Sequence, residues 1–406
     1  MMKRILIALF LVLTVSLTEN VAYGSNDIHL PTGLYAKSAV LIDASNNRIL
    51  FGKNENEVRA MASTTKIMTL VIALEEGKTD SEVEFSPYAA SQPDVQLNAE
   101  KGERYRMYDL LNIMMEKSYN DVAVAIAEHI GAEKLHMKTE AKSRTREESR
   151  ECVKQFISMM NDKAREIGCD NTYFITPNGL DAEENGRKHS TTAYELALIS
   201  AYALKNPEVE KICCTKNYDC DEISGKRHVN ISNANIFLDM MPGAVGMKTG
   251  FTGDAGYCFV GAVKQEGRSF VSVVLASGWP PSKSYKWKDT VKLMNYGAKN
   301  YFMQKILVKE EDFMEIAVID GVENSVQTQI RDSLSMLCAD YEKIDLEYRI
   351  KDALNAPVYE GDVAGYADVF IDGKKYTSFP IYVKKDVRKT SFVWFLKKFL
   401  NNFIKM

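Results

Sequence analysis

Cysteine is scarce in this 406-residue chain, and several familiar motifs are missing. The seven cysteines are too few for a disulfide scaffold, and their odd number leaves at least one thiol outside any pair within the chain. No Cys-x-x-Cys or Cys/His spacing indicates a zinc site, and no glycine-rich loop indicates a nucleotide site. The formal net charge of −4 excludes the overall basic character typical of nucleic-acid-binding proteins.

The chain also lacks a clear membrane-spanning segment near its N-terminus. The apolar run Ile5–Leu17 has 13 residues, which is too short to span a bilayer well. Lys3 and Arg4 precede it, and the small residues Ala22 and Gly24 suit cleavage before Ser25. Residues 1–24 are therefore predicted to be a signal peptide, with an uncleaved N-terminal anchor as the alternative. Both interpretations predict an exported protein.

The other end of the chain is a basic segment on an acidic protein. Residues 384–406 contain seven lysines or arginines and one aspartate, whereas residues 25–383 carry a charge of about −11. Apolar residues recur there at helical spacing, and lysines and asparagines occupy the opposite face. This pattern predicts an amphipathic helix lying on an anionic membrane surface. The alternative is a helix packed on its own domain.

The middle of the chain has the composition of a globular protein, with 46% hydrophobic and 26% charged residues. Residues 25–304 contain several amphipathic helical patterns. They also contain two apolar strands, Gly256–Lys264 and Ser269–Ala276, joined by a hairpin signature. Residues 305–383 consist of short β-type runs separated by turns. We therefore predict an α+β domain, then a small β domain, then the basic segment 384–406.

One nucleophile motif stands out within the first domain. Ser63 and Lys66 form the only Ser-x-x-Lys of the chain, at the start of an apolar helical pattern over 63–76. One helical turn places the two side chains on the same face. A serine hydroxyl needs an adjacent base, and a lysine can serve only when its amine is neutral. Taken alone, the pair is equally consistent with a helix-capping serine and a surface lysine.

Two further motifs follow in order along the chain. Ser118 and Asn120 lie in a Ser-Tyr-Asn break between two helices, where a hydroxyl and an amide can face a cleft. Lys248, Thr249 and Gly250 form the only Lys-Thr-Gly, ahead of the strand hairpin. A lysine and a threonine there can bind a carboxylate, and the glycine lets a substrate approach the backbone. A glycine-rich turn is the simpler explanation of the third motif alone.

In this order the three motifs resemble those of penicillin-binding proteins and class A β-lactamases. The chain is most similar to low-molecular-weight penicillin-binding proteins, the serine-type D-Ala-D-Ala carboxypeptidases. Matching segments are Leu34–Asp43, Met61–Thr69, Asn171–Asp181, Gly246–Gly250 and, in the β domain, Ala356–Val358. The resemblance implies an α+β transpeptidase-like domain, with an antiparallel sheet flanked by helices, followed by an all-β domain and an amphipathic anchor helix.

The resemblance also implies a mechanism on peptidoglycan stem peptides. Ser63 is expected to attack the penultimate D-Ala carbonyl, Lys66 to take its proton, and Ser118 to pass that proton to the leaving D-Ala. Expected binding groups are the backbone N–H groups of Ser63 and Phe251 for the oxyanion, Asn120 for a substrate amide, and Lys248, Thr249 and Gly250 for the C-terminal end. No metal or organic cofactor is implied, and β-lactams are expected to be covalent inhibitors.

Two other functions remain open at this point. A β-lactamase would use the same acylation chemistry, but it needs a glutamate-held water. No glutamate stands in a convincing Glu-x-x-x-Asn context between the second and third motifs. A cell-wall binding or sensor protein that acylates poorly is the other alternative. Localisation is expected at the outer face of the bacterial cytoplasmic membrane.

Overall fold

The computed structural model describes residues 30–404 and consists of a large α+β domain followed by a β domain and a terminal helix. The predicted signal peptide lies outside the described residues. The helices are α1 (Lys66–Glu76), α2 (Pro87–Ala90), α3 (Met107–Lys117), α4 (Asn120–Lys134), α5 (Arg146–Ile167), α6 (Ala193–Ala203), α7 (Pro207–Cys214), α8 (Tyr285–Asn300) and α9 (Phe392–Ile404).

The strands of the first domain precede those of the second along the chain. In the first domain they are β1 (Ser38–Asp43), β2 (Arg48–Lys53), β3 (Glu82–Glu84), β4 (Arg104–Arg106), β5 (Glu183–Glu184), β6 (Arg187–Lys188), β7 (Asn217–Asp221), β8 (His228–Ser232), β9 (Ala244–Thr252), β10 (Gly256–Gln265) and β11 (Arg268–Leu275). In the second they are β12 (Tyr301–Leu307), β13 (Glu315–Ile319), β14 (Ser325–Ile330), β15 (Leu334–Ala339), β16 (Ile344–Ile350), β17 (Ala353–Asn355), β18 (Val363–Ile371) and β19 (Lys374–Val383).

A five-stranded antiparallel sheet organises the first domain, in the order β2-β1-β11-β10-β9. Its central strands are apolar on both faces, because helices cover both sides. One face packs mainly on α6, with α1 and α7 against β9, and the other packs on α8 through Trp287, Leu293 and Met294. Strand β9 is left at the sheet edge, where one row of its backbone groups has no neighbouring strand.

The β10–β11 hairpin confirms the sequence prediction of two apolar strands joined by a turn. An apolar stripe over Phe156–Ile167 predicts an amphipathic helix there, and the predicted start at Phe156 is wrong. Helix α5 begins ten residues earlier, at Arg146, where Thr145 and Glu148 form a capping box. Residues 133–152 are dense in lysine, arginine and glutamate, and within them 146–152 belong to this helix while 133–134 end α4. In α5, polar residues face outward, while Ser149 and Cys152 are buried.

The second domain is built mainly on a six-stranded sheet, in the order β16-β18-β19-β14-β13-β17. Strand β12 follows helix α8 directly, at Tyr301, and pairs with β15. The two domains are joined by an ion pair between Arg48 and Glu342 and by the Tyr301 hydroxyl, which donates to the carbonyl of Leu50 (3.0 Å).

The basic segment 384–406 divides into two parts. Residues 384–390 belong to the β domain, because Val387 is fully buried and exchanges backbone hydrogen bonds with Val358 (2.8 and 2.9 Å). Helix α9 follows, and most apolar side chains of residues 392–400 are exposed, with Phe392 at 82% and Phe395 at 58%. Among residues 30–404, no helix is both long and apolar enough to cross a membrane.

Candidate active site

Ser63 lies in a short 3-10 helix, Ala62–Thr65, that leads directly into α1. Two glycines let neighbouring backbone approach it. A Cβ atom on Gly250 would lie 3.0 Å from the Ser63 nitrogen, and one on Gly179 would lie 2.9 Å from the Ser63 Cα. Ala62 has a left-handed backbone, with φ of 49°. Side chains larger than hydrogen at either glycine would push strand β9 or the 171–181 loop away from the serine.

Lys66 is buried one helical turn after Ser63, and its amine makes three polar contacts. Its Nζ lies 3.0 Å from Ser63 Oγ, 2.9 Å from Asn120 Oδ1 and 2.6 Å from the carbonyl oxygen of Asn178. A neutral amine has two N–H donors and one lone pair. The two oxygens of Asn120 and Asn178 satisfy the donors, which leaves the lone pair for the Ser63 hydroxyl proton.

Electrostatics favour the same neutral form. Burial holds the pKa of Lys66 well below its usual value, and the nearby Lys248 cation lowers it further. The carboxylate of Asp121 opposes this effect. That carboxylate accepts hydrogen bonds from the backbone N–H groups of Leu97 (2.9 Å) and Val122 (2.9 Å), so the protein already satisfies much of its charge. Lys66 therefore has the environment of a general base.

The Ser118–Asn120 loop lies at the junction of α3 and α4, as predicted. Ser118 ends α3 in a left-handed conformation with φ of 68°, and its hydroxyl has no hydrogen-bond partner among residues 30–404. The proton-relay role of Ser118 therefore stays a prediction. Asn120 opens α4, and its Nδ2 donates to the carbonyl oxygens of Pro93 (3.1 Å) and Asp94 (3.0 Å). Its two amide hydrogens are thus engaged, and its oxygen positions Lys66.

The Lys-Thr-Gly motif lies on the edge strand β9, beside the 3-10 helix. Lys248 is 2% exposed, and its Nζ donates to the carbonyl of Thr249 (3.1 Å). Burial lowers the pKa of Lys248 to about 7, and repulsion from Lys286 acts in the same direction. A nearby Cys213 thiol opposes the shift. Phe251 follows the motif with its ring against Tyr257, at a centroid distance of 4.7 Å.

Two contributors to the site were missed in the sequence. The Asn178 carbonyl acts through its backbone, which residue identity does not reveal. His189 is buried, and its Nδ1 accepts from the backbone N–H of Ile175 (2.9 Å). Its Nε2 therefore carries the proton and donates to Thr65 Oγ1 (2.7 Å). Burial lowers the pKa of His189 to about 3, so the neutral ring joins the 171–181 loop to the nucleophile motif.

The assembled groups suit acyl transfer through a serine ester. They comprise a hydroxyl, a buried amine in contact with it, a second lysine, and an edge strand able to pair with an extended peptide. Within the described part of the chain, no group of three or more His, Cys, Asp or Glu side chains is arranged to hold a metal ion.

Comparison with known families agrees with this geometry. A model of the D-alanyl-D-alanine carboxypeptidase family matches residues 26–141 and 150–278. A model of the penicillin-binding protein 5 C-terminal domain matches residues 301–389. Together these two matches cover both domains.

Individual relatives are similar over most of the chain. The D-alanyl-D-alanine carboxypeptidase DacF of Bacillus subtilis is 29% identical over 378 residues, which is 91% of this chain and 90% of that protein. Penicillin binding protein 5 from Haemophilus influenzae has a similar structure, with a TM-score of 0.69, 25% identity and coverage of 89% of this chain and 99% of that one. The cefotaxime-bound penicillin-binding protein D2 of Listeria monocytogenes has a TM-score of 0.53, 27% identity and coverage of 66% and 98%.

Proposed function

The chain belongs to the D-alanyl-D-alanine carboxypeptidase family of serine hydrolases, and on that basis we propose that it removes the terminal D-alanine of peptidoglycan stem peptides through an ester on Ser63. The observation that carries this proposal is the 3.0 Å contact between Ser63 Oγ and the buried amine of Lys66. A surface lysine would be protonated and could not accept the serine proton. Burial removes that obstacle.

In the acylation step, Ser63 Oγ attacks the carbonyl carbon of the penultimate D-Ala while its proton passes to Lys66 Nζ. The negative oxygen that forms is stabilised by the backbone N–H groups of Ser63 and Phe251. The C–N bond then breaks, and the leaving D-Ala nitrogen takes the proton from Lys66 through Ser118. Water then hydrolyses the ester: Lys66 accepts a proton from the attacking water and passes it to Ser63 Oγ as the acyl–oxygen bond breaks, which regenerates the free enzyme.

Substrate binding is assigned to strand β9. The C-terminal carboxylate pairs with Lys248 and the Thr249 hydroxyl, and the peptide backbone extends along the strand edge. Gly250 leaves the space that this approach requires, since its missing Cβ would lie 3.0 Å from the Ser63 nitrogen. Asn120 contributes by holding Lys66 in place, at 2.9 Å. The reaction as assigned uses no metal or organic cofactor.

β-Lactams are expected to acylate the same serine and to form an ester that is hydrolysed slowly. A β-lactamase requires a glutamate that holds the hydrolytic water. Among residues 30–404, the groups bonded to the Lys66 amine are Ser63, Asn120 and the Asn178 carbonyl, and none is a carboxylate. This arrangement favours the carboxypeptidase over the β-lactamase alternative.

The test combines D-Ala release with covalent labelling by a fluorescent penicillin. Ser63→Ala should abolish both activities on a peptide ending in D-Ala-D-Ala, because no nucleophile remains. Lys66→Arg should reduce both at least 100-fold, because arginine stays protonated and cannot act as a base. Circular dichroism should show that both variants stay folded. Retained labelling of Ser63→Ala would overturn the nucleophile assignment.

We further propose that the protein is exported and attached to the outer face of the cytoplasmic membrane through α9. Supporting this are the exposed apolar residues of α9 and the basic charge around it. Deletion should begin at Ser391, because removal of Val387 would open the β-domain core. The 391–406 deletion should abolish sedimentation with anionic vesicles and keep D-Ala release. Unchanged sedimentation would contradict the proposal.

A further inference from the structure

The segment 91–103, between α2 and β4, contains no helix or strand, yet it holds the Asn120 amide in place. Asn120 Nδ2 donates to the carbonyl oxygens of Pro93 (3.1 Å) and Asp94 (3.0 Å), and the Asn120 N–H donates to the carbonyl of Val95 (2.7 Å). These three partners are exposed, with Val95 at 54%. Exposed irregular backbone opens easily unless further contacts hold it. The orientation of Asn120 therefore depends on what fixes this segment.

Arg227 holds the segment just after these three residues. Its guanidinium donates to the carbonyl oxygens of Leu97 (2.5 Å) and Asn98 (2.9 Å). Asn98 has a left-handed backbone, with φ of 57°, which a residue other than glycine keeps only where its surroundings enforce it. Arginine presents its N–H donors in a rigid planar fork, so it can bond both carbonyls and fix their directions. Glu103 lies 3.3 Å from the same guanidinium and balances its charge.

Arg227 is itself held in place, at the tip of the β7–β8 hairpin. Its carbonyl accepts from the backbone N–H of Glu222 (2.9 Å). The buried Glu222 side chain accepts from the Arg104 N–H (3.2 Å), and the Ile223 N–H donates to the Arg104 carbonyl (2.9 Å). These bonds attach the hairpin tip to the start of β4. Ordered strands therefore set the position of the guanidinium, and the guanidinium sets that of the irregular segment.

We propose that Arg227 is a positioning residue for the general base. It fixes residues 93–99, these residues fix Asn120, and Asn120 Oδ1 accepts from Lys66 Nζ (2.9 Å). That acceptor occupies one N–H of the neutral amine and so directs the lone pair at the Ser63 hydroxyl proton. Without the guanidinium, the carbonyls that orient the Asn120 amide are no longer fixed. The inference rests on the proposed carboxypeptidase function and adds a residue that controls its chemical step from outside the cleft.

The experiment measures kcat and KM of the full-length protein for D-Ala release from a peptide ending in D-Ala-D-Ala. Arg227→Gln should reduce kcat about tenfold, because a small displacement of a catalytic group slows the chemical step strongly. Lys66 acts in both acylation and hydrolysis, so kcat falls whichever step limits it. The KM should stay within about threefold of the wild-type value, because strand β9 and Lys248 are unchanged.

Two variants separate the carbonyl bonds from the charge of Arg227. Lys226→Gln is the matched control, since it removes the same charge from an exposed side chain one residue earlier, and it should behave as wild type. Glu103→Gln removes the ion pair but leaves both carbonyl bonds, so its kcat should stay within about twofold of wild type. Arg227→Lys keeps the charge without the planar fork, and its kcat should lie between those of wild type and Arg227→Gln.

A double-mutant cycle tests whether Arg227 acts through Asn120. In an Asn120→Ala background, Arg227→Gln should slow labelling by fluorescent penicillin no more than about twofold further, because the group that it positions is absent. Circular dichroism checks that each variant is folded. If Arg227→Gln does not fold, Arg227→Lys takes its place in the cycle.

Failure of this inference is distinguishable from failure of the proposed function. Equal kcat values for Arg227→Gln and Lys226→Gln, a loss confined to KM, or the same loss of labelling with and without Asn120 would each refute the positioning role and leave the carboxypeptidase intact. No D-Ala release by the wild-type protein would refute the proposed function, while the penicillin cycle would still test the link between Arg227 and Asn120.

Discussion

The low pKa of Lys248 predicts how D-Ala release depends on pH. In the proposed mechanism the ammonium form of Lys248 binds the substrate carboxylate, and burial lowers the pKa of Lys248 to about 7. As pH rises through this value, the free protein loses the cation, so kcat/KM should fall. Half of the lysine is charged at pH 7 and about 1% at pH 9, which gives a decrease of about 50-fold.

Lys66 acts in the opposite sense, because it must be neutral to accept the serine proton. Its lowered pKa should produce a loss of activity on the acid side of the profile. A bell-shaped curve of kcat/KM is therefore expected, with its alkaline limb near pH 7. The value of kcat should depend less on alkaline pH than kcat/KM, since a bound carboxylate favours the charged form of Lys248.

The assay is D-Ala release from pH 5 to pH 9 at constant ionic strength. Lys286→Met removes a cation that lowers the pKa of Lys248, so the alkaline limb should move to higher pH. Lys288→Met is the matched control, because that lysine is exposed and no effect of it on Lys248 is found. The remaining kcat/KM of Lys248→Arg should show no decrease at alkaline pH, because arginine stays protonated. A wild-type kcat/KM that stays constant between pH 7 and pH 9 would refute this explanation.

Three further substitutions test two parts of the site and the stability of the fold. Gly250→Ala should reduce kcat/KM about tenfold, since the new methyl forces β9 away from the nucleophile, whereas Gly253→Ala, with open space around it, should not. The buried Glu116 carboxylate has no hydrogen-bond partner within residues 30–404, and burial raises its pKa from 4.5 to about 7. The folded state therefore loses about 3 kcal/mol as pH rises across that interval, and Glu116→Met should raise the melting temperature at pH 8 but not at pH 4.5. His189→Leu should slow penicillin acylation about tenfold, because Thr65 loses its hydrogen-bond donor. The loss should be equal from pH 5 to pH 8, since the ring is neutral throughout, and a pH-dependent loss would contradict the bridging role.

Local patterns predicted the regular parts of the fold. The hairpin of β10 and β11 follows from two apolar runs around a turn, and both signals lie in one short stretch of chain. The start of α5 was missed, because an apolar stripe marks only the residues that face the core. The first turns of that helix are stabilised by the Thr145–Glu148 capping box instead.

The active-site groups also divide into those that local motifs predict and those that only the folded chain brings together. Ser63, Lys66, Asn120 and Lys248 were identified from motifs, because the chemistry needs those side chains at those spacings. The Asn178 carbonyl and the His189 bridge depend on segments that meet only in the folded chain. The residue spacing within one segment gives no information about contacts between distant segments.

The sequence by itself determined which functional groups are present and, through hydrophobic periodicity, which secondary-structure elements carry them. Only the tertiary structure decided which of these groups are protonated and how close they lie to one another. Ser-x-x-Lys is the same motif in water and in a core, but a lysine becomes a base only where surrounding segments remove the solvent from its amine. Burial results from contacts between distant parts of the chain, and short motifs do not encode them.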